Sequence, residues 1–279
     1  MKFAVTIVSP LNYVHAAAFT EIAETVHFAL KSLGYDSVLT TEGNIPGRQH
    51  VILGSNLLPH YPLPIAPDAI LYNLEQVDRD SNWFSPALIK IFKSHRLWDY
   101  SEKNVSAFKE YGVNIDHVVP VGYVKELTRI RFVKNPDIDV LFFGIMNPRR
   151  KSIIDQMSLN LKVGVINGTY GKRRDALIGR SKLIINIHYY EVKVLEMVRL
   201  SYLLANHCAV LSERSSEHDL DDLLEEGVAF SDYKDLANRA RELIDSPDER
   251  AKLSKRGFEI ISARSAIEYL REAVKTISN

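Results

Sequence analysis

Short apolar or β-branched runs alternate along the chain with longer stretches in which apolar residues recur every three or four positions, the pattern of an α/β protein with parallel sheets. In the first half the runs are 2–8, 37–41, 50–53, 69–74, 96–98 and 117–121. The clearest helical pattern between them is 16–33, where Phe19, Ile22, Ala23, Val26, Leu30 and Leu33 share a face and Gly34 supplies a stop. A polar, proline-containing stretch, 125–137, breaks the rhythm and a new run at 138–143 restarts it. From there predicted strands 138–143, 161–165, 182–187 and 207–211 alternate with predicted helices 148–159, 171–179 and 191–205. Helical patterns at 233–244, 247–261 and 266–276 finish the chain. The expected organisation is two α/β domains of ordinary size, 1–130 and 138–279, with the last helix able to pack back on the first domain.

Composition narrows the class. With 46% hydrophobic and 25% charged residues over 279 positions, the chain is globular rather than disordered or fibrous. Lys plus Arg and Asp plus Glu are both 35, so no global positive field exists to hold a nucleic-acid backbone. The single cysteine, Cys208, allows neither an intramolecular disulfide nor a cysteine zinc cluster, and fits a reducing compartment. The apolar start is too short for a secretion leader, and no apolar run reaches the roughly 18 residues of a membrane span. The expectation is a cytoplasmic protein without a transmembrane segment, with peripheral membrane contact left open. The N-x-S/T triplets at Asn104 and Asn167 then read as chance matches.

Charge is uneven locally. Between 147 and 182 stand nine basic side chains (Arg149, Arg150, Lys151, Lys162, Lys172, Arg173, Arg174, Arg180, Lys182) against Asp155 and Asp175, while 211–250 is strongly acidic. Either these are two solvated surfaces of opposite sign, or part of the basic block faces an anionic ligand.

In open α/β sheets ligands lie beyond the carboxyl ends of the strands, so the residues following each run are the candidates for chemistry. They are Ser9 to His15; Glu75 and Gln76; Asp99, Tyr100 and Ser101; Gly122 and Tyr123; Gly144 to Arg150 with Asn147 and Arg149; Asn167, Gly168, Thr169, Tyr170 and Gly171; and His188, Tyr189, Tyr190 and Glu191. Each has a structural alternative: Ser101 as a helix cap, Asn167-Gly168 as a turn, the tyrosines as packing. Their recurrence at one edge in both halves favours a site. Rival chemistries lack their motifs: there is no G-x-x-x-x-G-K-[ST], no G-x-G-x-x-G after the first strand, no G-x-S-x-G and no H-x-x-x-H.

The strings Tyr72-Asn-Leu-Glu-Gln76, Trp98-Asp-Tyr-Ser101, Val121-Gly-Tyr123, Leu141-Phe-Phe-Gly144 with Asn147-Pro-Arg-Arg150, and Ile185-Asn-Ile-His-Tyr-Tyr190 followed by Glu196-Met-Val-Arg199 resemble those of GT-B glycosyltransferases, in particular the family-1-like, CgeB-like bacterial enzymes. The resemblance spans about residues 1 to 230. It implies two Rossmann-like domains facing a central cleft and transfer of a sugar from a nucleotide-diphosphate sugar to a hydroxyl acceptor such as a glycan, a lipid-linked sugar or a small molecule. It implies a metal-independent reaction with no cofactor. Glu196 matches the helical carboxylate that holds the donor ribose; Glu191 and His188 stand near the position of a second carboxylate that contacts the sugar, at a spacing that departs from the family's. Gly144, Asn147, Arg149, Arg150 and the start of the 191–205 helix would hold the diphosphate by charge-assisted hydrogen bonds and the helix dipole. Gly168, Thr169 and Tyr170 would receive the base, beside Tyr189 and Tyr190. In the first domain His15 and Glu75 are the candidates for removing the acceptor proton, with Asp99 next. The other class open to this chain is a catalytically silent nucleotide- or glycan-binding protein of the same fold, and a third is a sugar-phosphate enzyme such as an epimerase.

Overall fold

The computed structural model of the chain describes residues 1–77, 84–189, 195–216 and 218–277. Two compact units result, one made of 1–126 with 265–279 and the other of 127–264.

The first unit is a six-stranded parallel sheet of β1 (Lys2–Ile7), β2 (Asp36–Thr40), β3 (Gln49–Leu53), β4 (Ile70–Asn73), β5 (Arg96–Asp99) and β6 (His117–Val118), in the order β2-β1-β3-β4-β5-β6. β1, β3 and β4 are buried along most or all of their lengths, which is why they read as continuous apolar runs. Helix α1 (Thr20–Ser32) is preceded by a 3-10 turn, Val14–Phe19, so the 16–33 pattern holds two kinds of helix end to end. Its stop is a complete Schellman motif. Gly34, at φ +87°, donates to the Lys31 carbonyl and Tyr35 donates to that of Leu30. Helices α2 (Pro86–Lys93) and α3 (Glu102–Glu110) follow, each capped by a serine hydroxyl, Ser85 and Ser101.

The second unit carries β7 (Ile138–Phe143), β8 (Val163–Ile166), β9 (Ser181–Asn186), β10 (Val210–Glu213) and β11 (Ala229–Ser231), all parallel, in the order β11-β10-β9-β7-β8. Its helices are α4 (Pro148–Ser158), α5 (Gly171–Ile178), α6 (Met197–Ala205), α7 (His218–Leu224), α8 (Leu236–Asp245) and α9 (Pro247–Ser262). Val140, Phe142, Ile153, Met157, Leu183, Ile185, Leu211, Leu236 and Leu243 form its core. The last helix, α10 (Ala266–Lys275), belongs to the first unit.

Three sequence expectations need correction. Helix α6 begins at Met197, not 191; Glu196 is its N-cap residue, and 190–194 lie outside the described residues. The strand expected at 207–211 starts only at Val210 and runs on to Glu213. The reason is a second Schellman motif, in which His207 takes φ +54° while its amide donates to Leu204 and that of Cys208 to Leu203, so 206–208 complete a helix rather than open a strand. Neither α7 nor β11 is marked by the sequence pattern.

Candidate functional site

The strand orders define where each sheet can hold a ligand. Successive connections leave in opposite directions from β1 and β3 in the first unit and from β7 and β9 in the second, so each pair of carboxyl ends brackets a topological switch point.

At the second unit's switch point the chain leaves β7 through Gly144, whose φ of +148° lies where only glycine is comfortable. A Cβ there would stand 3.2 Å from an Arg199 guanidinium nitrogen and 3.4 Å from one of Arg150, so the glycine lets two cations come close to the backbone. Asn147 caps α4, accepting from the Arg150 amide at 2.8 Å, while its Nδ2 donates to the Tyr189 carbonyl at 2.9 Å. That bond joins the turn after β7 to the turn after β9.

Arg150 is 3% exposed and fully engaged. Its Nε donates to the Ile187 carbonyl at 2.9 Å, one terminal nitrogen to Ile145 at 2.8 Å and the other to Glu196 Oε1 at 3.2 Å. The guanidinium lies 5.2 Å from the ring centres of both Phe142 and Tyr189. Burial, opposed by the Glu196 charge, lowers its pKa to about 10, which still leaves it positive at neutral pH. Arg199, on the first turn of α6, holds the other oxygen of Glu196 at 2.9 Å and donates to Asn186 Oδ1 at 2.8 Å. Two arginines from different elements thus converge on one carboxylate that is 27% exposed, beside the Gly144 turn.

Arg149 has a different duty. Its guanidinium forms a two-pronged ion pair with the completely buried Glu213, one prong at 2.7 Å, donates to the His188 carbonyl at 3.1 Å and lies 4.1 Å from the Tyr233 ring centre. The same carboxylate accepts from the His188 amide at 3.2 Å. Burial lowers the His188 pKa, so its imidazole stays neutral, with a ring nitrogen 3.2 Å from the Glu213 carbonyl. Gly168, at φ +63°, Thr169 and Tyr170 follow β8 and lead into α5, one strand out from the switch point. Tyr190 and Glu191 lie outside the described residues.

Most of the nine-cation block is neutralised within the unit. Lys151 pairs with Asp155, Arg174 with Asp175, Arg180 with Asp137 and Lys182 with Asp139. The local excess therefore reads mainly as a paired surface, and the cations at the switch point are Arg149, Arg150 and Arg199. Glu213 and Arg199 were not among the residues singled out for the site. Glu213 falls beyond the expected strand end and inside the acidic stretch, whereas Arg199 stands in the Glu196-Met-Val-Arg string, where the i,i+3 spacing of opposite charges was a readable signal.

The first unit's switch point is built from other chemistry. Tyr13 and His15 follow β1, and their rings meet edge to face at 5.5 Å. Tyr61, on the segment after β3, lies 6.1 Å from Tyr13 between ring centres. Glu75 follows β4 and accepts from Asn56 Nδ2 at 3.3 Å. Burial, with the nearby Glu75 and Tyr61, raises the Tyr13 pKa above its ordinary value. The structure therefore brings both expected proton acceptors near the same tyrosine, His15 in ring contact with it and Glu75 close enough to raise its pKa.

Asp99 is completely buried behind this cluster. It accepts from Asn73 at 2.7 Å, from Asn104 at 3.0 Å and from the Ser101 amide at 2.8 Å. Burial pushes its pKa up to about 6 against the pull of these donors. Asn73 and Asn104 also donate to the Glu75 carbonyl, at 2.8 and 3.1 Å, so the buried carboxyl anchors the turn that carries Glu75. Asn104, 4% exposed and committed to these bonds, is no surface glycosylation site. Among the described residues no three His, Cys, Asp or Glu side chains gather as a metal site, and no helix is long and apolar enough to cross a membrane.

No protein-family model matches the chain. Three uncharacterized proteins of Acanthamoeba polyphaga mimivirus are similar to it in sequence: one is 33% identical over 132 residues, another 28% over 187 and a third 30% over 164, covering 44%, 64% and 55% of this chain. The matches cover 15%, 63% and 51% of those relatives' own lengths. The bacterial origin implied by the resemblance finds no support in these viral relatives, and the CgeB-like subfamily is not borne out. Among solved structures the chain is similar to Anabaena HepE in complex with UDP and glucose, at TM-score 0.63 and 11% identity over the whole of both chains. It is also similar to sucrose-phosphate synthase from Thermosynechococcus elongatus (TM-score 0.62, 10% identity, 99% of each chain) and to WaaG, a glycosyltransferase involved in lipopolysaccharide biosynthesis (TM-score 0.58, 11% identity, 98% of each chain). The chain has the fold of GT-B glycosyltransferases.

Proposed function

We propose that the protein is a glycosyltransferase that moves a sugar from a nucleoside-diphosphate sugar to a hydroxyl acceptor. The observation that carries this reading is the convergence of Arg150 and Arg199 on Glu196 beside the Gly144 turn, at the switch point of a GT-B-fold unit. Solved structures of the same fold hold UDP and UDP-glucose.

In this reading the diphosphate lies against Gly144, Arg150, Arg199 and the α4 start at Asn147. Each Glu196 oxygen has one arginine partner, and a carboxylate's remaining lone pairs are enough to accept from two ribose hydroxyls. Tyr170, with Gly168 and Thr169, takes the base. His188 and Tyr189 border the sugar, and Arg149 serves by fixing the His188 turn through Glu213. The bond between the sugar carbon and the diphosphate oxygen breaks, the electron pair leaves with the nucleoside diphosphate, and the acceptor oxygen bonds to that carbon. The acceptor proton passes to Glu75 or His15. Charge grows on the leaving diphosphate, so pre-positioned guanidinium groups act chiefly on rate and can replace a metal ion. The thiol of Cys208 is buried and its pKa is pushed far up by that burial, so it is no candidate nucleophile for the transfer.

Thermal denaturation with and without nucleoside diphosphates tests the donor site, because ligand at a hundred times its dissociation constant stabilises by about 2.7 kcal/mol. A transferase then turns over donor with a hydroxyl acceptor in the presence of a chelator. Binding without transfer or hydrolysis would make the chain a silent nucleotide-binding protein, and no stabilisation by any nucleoside diphosphate would end both readings.

A further inference from the structure

At the edge of the second unit's sheet opposite its switch point, the amino ends of β9 and β10 border a cavity of about 250 Å³. Local chain geometry opens it. Helix α6 ends in the left-handed His207 turn and β10 begins only at Val210, so Cys208 and Ala209 line the cavity between them. Ser254, on α9, donates to the His207 carbonyl at 2.7 Å and fixes that turn to the helix. Another wall is the strap that leads into β7. Val133 donates to the Gly179 carbonyl at 2.9 Å, and a Cβ on Gly179 would collide with the Arg131 carbonyl oxygen, so only glycine lets the strap lie this close to the end of α5. Phe132, between these two contacts, lines the cavity and stays 47% exposed.

The rings of Phe132, Pro136 and Pro247 and the side chain of Ile184 give this cavity an apolar body. Its charged lining is Lys182 and Arg250, and among the described residues no Asp or Glu lines it. Lys182 is already bonded to Asp139 at 2.7 Å. Arg250 is tied at one end only: its Nη1 donates to the Leu243 and Ile244 carbonyls at the end of α8, the latter at 2.7 Å, and among the described residues neither Nε nor Nη2 makes a hydrogen bond. Asp139 and Asp245 are near enough to favour its charge, yet burial outweighs them and lowers its pKa below the usual arginine value. A half-buried guanidinium, held in place on one side and open on the other, gains from an anion. We infer that the cavity is a binding site for a small aromatic carboxylate. A cavity of about 150 Å³ takes benzene, so one of about 250 Å³ takes a benzene ring with its carboxylate or a fused pair of rings. The carboxylate accepts from Nε and Nη2 side by side, and the rigid rings of the lining suit a flat ligand better than a flexible chain, whose ordering costs rotamer entropy. Phosphate or diphosphate has no apolar body to cover the Phe132 and proline surfaces. No residue lining the cavity belongs to the donor site, so the assignment stands independently of the transferase reading.

Saturation-transfer NMR on the full chain with benzoate, 1-naphthoate, benzyl alcohol and octanoate, each with and without UDP, tests the site. Benzoate or 1-naphthoate receives saturation on its ring protons, and UDP leaves that signal unchanged. Benzyl alcohol, which keeps the ring and loses the charge, binds about tenfold more weakly, as does octanoate, which keeps the charge and loses the ring. Arg250→Gln weakens binding of the aromatic carboxylate by about tenfold and Phe132→Ala by about threefold. Because Arg250 also closes the end of α8, a second variant leaves it in place: Ala251→Trp, at an exposed position of α9 that lines the cavity, fills the space and abolishes binding with circular dichroism unchanged. Equal binding of carboxylate and alcohol, or of aromatic and aliphatic carboxylate, overturns the assignment of ligand class. Displacement by UDP, binding retained in Ala251→Trp, or no saturation of any probe overturns the site itself.

Discussion

The two units repeat one architectural idea, a parallel sheet whose strand order reverses at a switch point, and furnish the two switch points with opposite chemistry. Between β7 and β9 the side chains are arginines held by carboxylates: Arg149 by Glu213, Arg150 and Arg199 by Glu196. Between β1 and β3 they are aromatic rings, amides and carboxylates, with no Lys or Arg in the segments that form the cluster. A shared topology therefore fixes only where a ligand sits. The side chains it would meet differ in charge, cationic at the first kind of site and neutral or acidic at the second. The carboxylates differ as well: Glu213 and Glu196 are neutralised by arginine, whereas Asp99 is buried among neutral amides.

The sharpest way to break this contrast is to remove one arginine partner. Arg149→Ala leaves Glu213 buried and charged without its counter-ion, and the expected loss of unfolding free energy is about 3 to 5 kcal/mol in urea denaturation. An unchanged midpoint would mean that the pair contributes nothing and that Arg149 is available to a ligand.

Asp99 tests the other side. Its folded-state pKa is raised to about 6, so the folded protein binds the proton more tightly than the unfolded chain does. Its stabilising contribution is fully present below the unfolded value near pH 4 and is lost as pH rises through about 6. Stability of the wild type relative to Asp99→Asn should therefore fall by about 2 to 3 kcal/mol from pH 4 to 7. A difference that stays flat across that range would show that the amide and backbone donors keep Asp99 ionised throughout.

Glu196 sharpens the donor side. Glu196→Ala should weaken binding of a nucleoside diphosphate by about 1.5 to 3 kcal/mol if the carboxylate accepts from the ribose. It should tighten binding of inorganic pyrophosphate, because the carboxylate that neutralises Arg150 and Arg199 is gone. Opposite changes for the two ligands in calorimetry are the signature; a parallel loss would make Glu196 a purely structural counter-ion.

The smallest effect compares two helix caps at corresponding edges. Ser101→Ala loses one cap bond and should cost about 0.5 to 1 kcal/mol. Asn147→Ala also loses the bond to Tyr189 and should cost about 1 to 2 kcal/mol. Equal losses would mean that the link between the turns after β7 and β9 adds no stability.

The sequence alone was enough to establish the α/β class and the alternation of elements, and it picked out the strand ends at which the candidate residues gather. Each of these rests on local periodicity, on caps such as Ser101 and on stops such as Gly34, which act within a few residues. It did not reveal that 206–208 close a helix, since a left-handed His207 carries no compositional mark. It placed Glu196 on a helix rather than at its cap. It ranked Arg149 and Arg150 together, although one is bound to Glu213, 64 positions away, and the other to Glu196. Strand order, the two switch points and the partners of Arg149 and Arg150 were settled only by tertiary structure. Parallel strands pair across intervening helices, so the partners of Arg149 and Arg150 are chosen by tertiary packing, whereas the local pair of Glu196 and Arg199 was displayed in the spacing of the chain.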